Sequence, residues 1–157
     1  MPMLRLAKLT LSTMTLGTLL LAANANADTL SIDDPYVREV PPGSPATAAF
    51  MTLQNSGDSP VRLISATNSI TEHTELHNHV DMDGVMQMRQ VEAIEVPAGG
   101  STLLAPGGLH LMMIGLQSPI SNGDNVSLSL TFDNGETLEF SAPVRPVIPM
   151  QHKHHHD

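Results

Sequence analysis

The sequence predicts an all-β domain, a Greek-key sandwich or barrel, and three observations predict it. Short apolar runs recur between Gly- and Pro-rich turns at spacings of roughly ten residues, the pattern of a many-stranded antiparallel fold. The segment "VSLSLTFDNGETLEFSAPV" alternates apolar and polar side chains on both sides of an Asn-Gly. That dipeptide is the strongest short-range hairpin signal, because a two-residue turn needs positive φ at both central positions. No stretch after residue 28 keeps a helical period for more than two turns.

In chain order, residues 1–27 read as an export leader. Arg5 and Lys8 precede the apolar "LTLSTMTLGTLLLAA", and Ala25-Asn26-Ala27 supplies a small-x-small cleavage site. The apolar part is too short and too rich in Thr for a membrane span, which needs about 20 apolar residues. Cleavage after Ala27 leaves residues 28–157, one domain with a core large enough to fold alone, and no stable membrane insertion. The domain proper is expected over 28–143. Residues 144–157 are expected to form an extended, mobile tail rich in Pro and His.

Export sharpens the charge. The leader holds two of the seven basic residues and none of the sixteen acidic ones, so the mature chain keeps five basic residues and a net charge of about −11. Such a surface repels nucleic acid and anionic lipid and concentrates cations. There is no cysteine, which excludes disulfide staples, thiolate metal sites and cysteine nucleophiles. Any soft metal ligand here must be a thioether.

Along the body, "ATAAFMTLQNSGDSPVRLISATN" reads as strand, Gly-Asp turn and strand, and "EVPAGGSTLLAPGGLHLMMIGL" alternates turns with short apolar runs. Between them lies "ELHNHVDMDGVMQMR", residues 75–89, which is dense in His and Met. A hairpin turn at Asp83-Gly84 sets His79 opposite Met88 and Asp81 opposite Met86. Side chains alternate along a strand, so His77, His79, Met86 and Met88 share one face. Direct cross-strand partners lie about 5 Å apart at Cβ and diagonal ones about 7–8 Å, within reach of one ion. His110 and Met112, two apart in "GLHLMMIG", share a face as well, while Leu111 and Met113 point the other way. Met113 and Met51 are expected to fill core, Met82 to belong to the turn, and His73 to be an ordinary surface residue.

The spacing His77, ten residues, Met88, twenty-one residues, His110, one residue, Met112 is H-x10-M-x21-H-x-M. It resembles the copper-binding signature of the periplasmic copper chaperones of the PCuAC type. "VREVPPGSPATAAFMTLQNSGDSPVRLISA", "GVMQMRQVEAIEVPAGG" and "LAPGGLHLMMIGL" resemble the same family, over about residues 30–143. The resemblance implies a cupredoxin-like β-barrel in the periplasm that binds Cu(I) through His77, Met88, His110 and Met112. It implies delivery to a recipient, most often toward the binuclear copper centre of cytochrome c oxidase, through its copper subunit or another copper chaperone. The hairpin register favours His79 as the neighbour of Met88, whereas the family spacing selects His77. His79, and more weakly Met86, stay open as alternates.

The chemistry fits. Thioether sulfur is soft and neutral and selects Cu(I) over zinc or hard cations. Two imidazoles and two thioethers leave the ion's charge uncompensated, which disfavours Cu(II). Binding should weaken as the histidines protonate, near their ordinary pKa of about 6.5. A blue-copper electron carrier needs a Cys ligand and is excluded. A zinc hydrolase motif, H-E-x-x-H, is not matched by "HTELH", where Glu75 comes one place late. With neither a nucleophile–base arrangement nor a phosphate-binding Gly loop, the chain does not read as an enzyme. The remaining rivals are copper storage or tolerance and a structural β-domain without metal. In the terminal "MQHKHHHD", His152, His154, His155 and His156 lack fixed geometry, and imidazole clusters of this kind suit Cu(II).

Overall fold

The computed structural model describes residues 28–147. The leader with its cleavage after Ala27, and the histidines at 152 and 154–156, lie outside the described residues. Ten strands and no helix are found among the described residues: β1 (Leu30–Arg38), β2 (Ala46–Asn55), β3 (Val61–Asn68), β4 (Thr71–Met82), β5 (Val85–Gln90), β6 (Ile94–Val96), β7 (Gly100–Leu104), β8 (His110–Leu116), β9 (Asn125–Phe132) and β10 (Thr137–Arg145). The fold is all-β, as the turn spacing predicts.

The strands form one hydrogen-bonded path, β5-β4-β8-β2-β1-β10-β9-β3-β6, with β7 pairing the far end of β2. The one parallel step, β1 beside β10 through Val37–Val144 and Arg38–Arg145, joins the two halves. The path folds over a single core. Leu76, Leu111 and Met113 from one half pack in the same cluster as Leu63, Leu128, Leu130 and Phe132 from the other. Each such side chain taken fully from water contributes about 1.5–3 kcal/mol, and the alternating burial of "NVSLSLTF" in β9 shows period two at work. Asn55, buried at the end of β2, fixes the Gly57-Asp58 turn. Its Nδ2 donates to the Ser59 and Val96 carbonyls (2.9 and 3.3 Å), and its Oδ1 accepts from Gly57 N (2.9 Å).

Two local features differ from the sequence reading. The Asn134-Gly135 hairpin exists, with Thr131 opposite Thr137, but its turn is not the two-residue type with both φ positive. Only Gly135 is left-handed (φ 87°), at the end of a three-residue loop. Asp133 anchors that wider loop by accepting from Arg62 N and Nε at 2.9 and 3.0 Å. Strand β1 was not foreseen at all. Its run is broken by a bulge between Asp33 and Tyr36, where Asp34 takes φ 46° ahead of Pro35. That interruption hides the period-two signal.

Candidate metal centre

The turn at Asp83-Gly84 is the tight one. Both residues have positive φ (57° and 82°), which a two-residue turn of the strand-compatible twist requires. The register it imposes is the predicted one, with His79 opposite Met88 and Asp81 opposite Met86. On the other edge of β4, His77 lies opposite His110 and Glu75 opposite Met112, and Ala48 of β2 lies opposite Met112. Paired residues share a face, so His77, His79, Met86, Met88, His110 and Met112 all land on one side of β5-β4-β8-β2. It is the side turned away from the core that Leu76, Leu111 and Met113 enter.

A cavity of about 150 Å³ opens on this outward side, with His79, Met88, His110 and Met112 in its lining. Ala48 and Phe50 also line it, the small alanine leaving room and the phenylalanine excluding water. Imidazole rings crowd together here. The His110 ring centroid is 5.7 Å from that of His77, 5.3 Å from that of His79 and 6.3 Å from that of Phe50. The Arg38 guanidinium caps the Phe50 ring at 5.1 Å.

Two of the imidazoles, His110 and His77, have ring hydrogen bonds that define their state. His110 is 2% exposed, and its Nδ1 lies 2.9 Å from the Gly108 carbonyl. A carbonyl only accepts, so Nδ1 carries the proton and Nε2 of the neutral ring keeps its lone pair. Burial holds its pKa below the usual histidine value, because desolvation disfavours the charged ring. The Gly108 bond opposes this, while the charges of His79, His77 and Arg38 add to the lowering. His77 Nε2 lies 2.7 Å from Glu75 Oε2. Nδ1 of His77 and Nδ1 of His79 are buried without a hydrogen-bond partner, a costly condition for a polar atom unless something else fills it. Among the described residues no set of three or more His, Asp or Glu side chains could hold an ion by itself. The further donors lining the cavity beside the imidazoles are the thioethers of Met88 and Met112.

The sequence-predicted residues fall as follows. His110 and Met112 sit together on β8, and Met88 closes the cavity from β5 while remaining 46% exposed. Met86 lies further out on β5, at 56% exposed. His79 lines the cavity, whereas His77 stands beside it, held by Glu75. Met51 and Met113 are buried in the core, His73 is exposed on β4, and Met82 ends β4 with its sulfur 2.9 Å from Arg89 Nη2. Glu75, Gly108, Phe50 and Arg38 were missed by the sequence reading. Glu75 alone carried a usable signal, since it is two residues from His77 and must share its face.

A family model, LpqE-like, described as lipoproteins, matches residues 30–144. The chain belongs to the LpqE-like family. This family is of the PCuAC type. A family relative, the lipoprotein-named Lxx21020 of Leifsonia xyli subsp. xyli, is 33% identical over 120 residues, which is 76% of this chain and 71% of the relative. Among solved structures, the Cu(I) form of DR1885 from Deinococcus radiodurans is 32% identical with a TM-score of 0.62, over 79% of this chain and 85% of that one. Its apo form is 29% identical with a TM-score of 0.61, over 93% and 98%. A copper-bound PCuAC domain from PmoF2, at 22% identity, has a TM-score of 0.64 over 76% and 94%. The likeness to these LpqE-like and PCuAC domains makes the fold cupredoxin-like.

Proposed function

We propose that this LpqE-like chain is an exported copper chaperone that holds one Cu(I) through His77, Met88, His110 and Met112 and passes it on. One observation carries the reading. Two thioethers and a cluster of imidazoles, two of whose ring nitrogens are buried without partners, meet on the outward face of a sheet that has no need of them for its core. Soft sulfur and borderline nitrogen suit Cu(I) and reject hard cations. The copper-loaded state of DR1885 supports the same cargo.

Delivery rather than catalysis follows from the donor set. Four neutral ligands exchange one at a time, and Met88, the outermost, is the place where a recipient's ligand enters. The copper subunit of cytochrome c oxidase, or a second copper chaperone, is the recipient. The working compartment is the periplasm, reached through the leader at 1–27. The mature chain comprises the domain at 28–143 and the tail at 144–157, with no stable membrane insertion. His152, His154, His155 and His156 add Cu(II) capture on a tether that raises local copper at the barrel.

Titration of the mature protein with Cu(I), followed by X-ray absorption at the copper edge, tests the site. Two sulfur and two nitrogen neighbours are expected, and a Cu(I) spectrum with nitrogen and oxygen alone sinks the reading. Deleting residues 150–157 should leave Cu(I) binding intact and reduce Cu(II) uptake. Unchanged Cu(II) stoichiometry and affinity would remove the tail's role.

A further inference from the structure

Glu75 belongs to no ligand set proposed above, yet it is bonded to one of its members. Glu75 and His77 project from the same face of β4, and Glu75 Oε2 lies 2.7 Å from His77 Nε2. A carboxylate only accepts, so the proton of the neutral ring sits on Nε2 and the lone pair on Nδ1. That Nδ1 is the atom found buried without a partner. His110, directly across the ladder from His77, shows the same device with the nitrogens exchanged, its Nδ1 proton given to the Gly108 carbonyl and Nε2 left free. No carboxylate or carbonyl is bonded to the His79 ring among the described residues, although His79 lines the cavity. What separates the two β4 imidazoles is therefore a fixed tautomer.

Resting on the Cu(I) reading, we propose that Glu75 is a positioning residue that fixes the His77 tautomer, so that copper is held by Nδ1 of His77 and by Nε2 of His110. A carboxylate behind a ligating histidine orients the ring and raises its basicity before the ion arrives. Glu75 thereby selects His77 over His79.

The test uses the full mature chain. Long-range ¹H–¹⁵N correlation of the apo protein at pH 8 should show His77 protonated at Nε2, and Glu75→Leu should abolish that preference while the melting temperature of the apo form stays close to wild type. Cu(I) affinity, measured by competition with a chromogenic chelator, should fall about 10- to 100-fold in Glu75→Leu. It should recover in Glu75→Gln, whose amide oxygen still accepts from Nε2. An Nδ1–H tautomer of His77 in the wild type overturns the proposal, as does wild-type affinity in Glu75→Leu. So does a loss of binding in His79→Ala with none in His77→Ala. In all three cases wild type still binds Cu(I); failure of the wild type to bind it would instead defeat the chaperone reading.

Discussion

The two faces of the strands β4, β8 and β2 are built from neighbouring residues and do opposite work. Leu76, Leu111 and Met113 point inward, at 4%, 0% and 0% exposure, and meet the strands of the other half. His77, His110 and Met112, each one residue away, point outward, where His110 and Met112 line a small cavity and His77 stands beside it. Methionine occurs on both faces and shows the difference best. Met113 is shape-filling hydrocarbon, interchangeable with other apolar side chains of its volume. Met112 lines the outward cavity, where the proposed site uses its sulfur. Fold and proposed function are thus separated by the strand's own two-residue period, and each can be altered with limited damage to the other.

Breaking the inward face should give the largest effect. Leu111→Ala should cost about 2–5 kcal/mol in denaturant unfolding through lost burial and a cavity, while the copper-edge spectrum of the folded protein keeps its two sulfurs. The converse change is Met112→Leu, which keeps volume and removes sulfur. Its unfolding free energy should stay within about 1.5 kcal/mol of wild type, while Cu(I) affinity drops at least tenfold, roughly the 1.4 kcal/mol of one lost ligand contact. A smaller effect sharpens the comparison at the turn that holds Met88 in register. Gly84 has φ +82°, so Gly84→Ala should cost about 1 kcal/mol and weaken Cu(I) binding a few-fold, without changing ligand identity.

The smallest effect is one of pH. The folded pKa of His110 is depressed by burial, so the unfolded chain binds the proton more readily than the native one. The stability this contributes is complete above the unfolded value of about 6.5 and is lost as pH falls from there through the folded pKa. Denaturant unfolding of the apo protein between pH 8 and pH 5 should show this loss. His110→Leu should flatten the profile over that window, and an unaltered profile would mean that the outward face carries no such charge penalty.

How much of this was legible in the sequence depended on the range of the interaction. The β4–β5 register could be read because a single Asp-Gly fixes it and because His and Met alternate with other residues on either side. Facing of His110 and Met112 followed from the same period. The choice between His77 and His79 could not be read, since alternation puts both on one face. Phe50 and Arg38 reach the site through the β1–β2 and β2–β8 pairings, and no local pattern announces pairings between distant strands. The Asn134-Gly135 turn shows the limit of a dipeptide rule. Its hairpin was correct, but contacts from Arg62, some seventy residues away, selected a wider loop.

Strand β5 is exposed along its whole length and is hydrogen-bonded to β4 alone, at the free edge of the sheet. It also carries Met88. On the proposed reading, a cargo fastened partly to this exposed edge strand need not wait for global unfolding to leave; fraying of one hairpin is enough, and such local openings lie far below the free energy of the whole domain. The residence time of the ion is then a property of this arm rather than of the barrel. Amide exchange across Val85–Gln90 should slow on copper loading, while the strands of the core keep their rates.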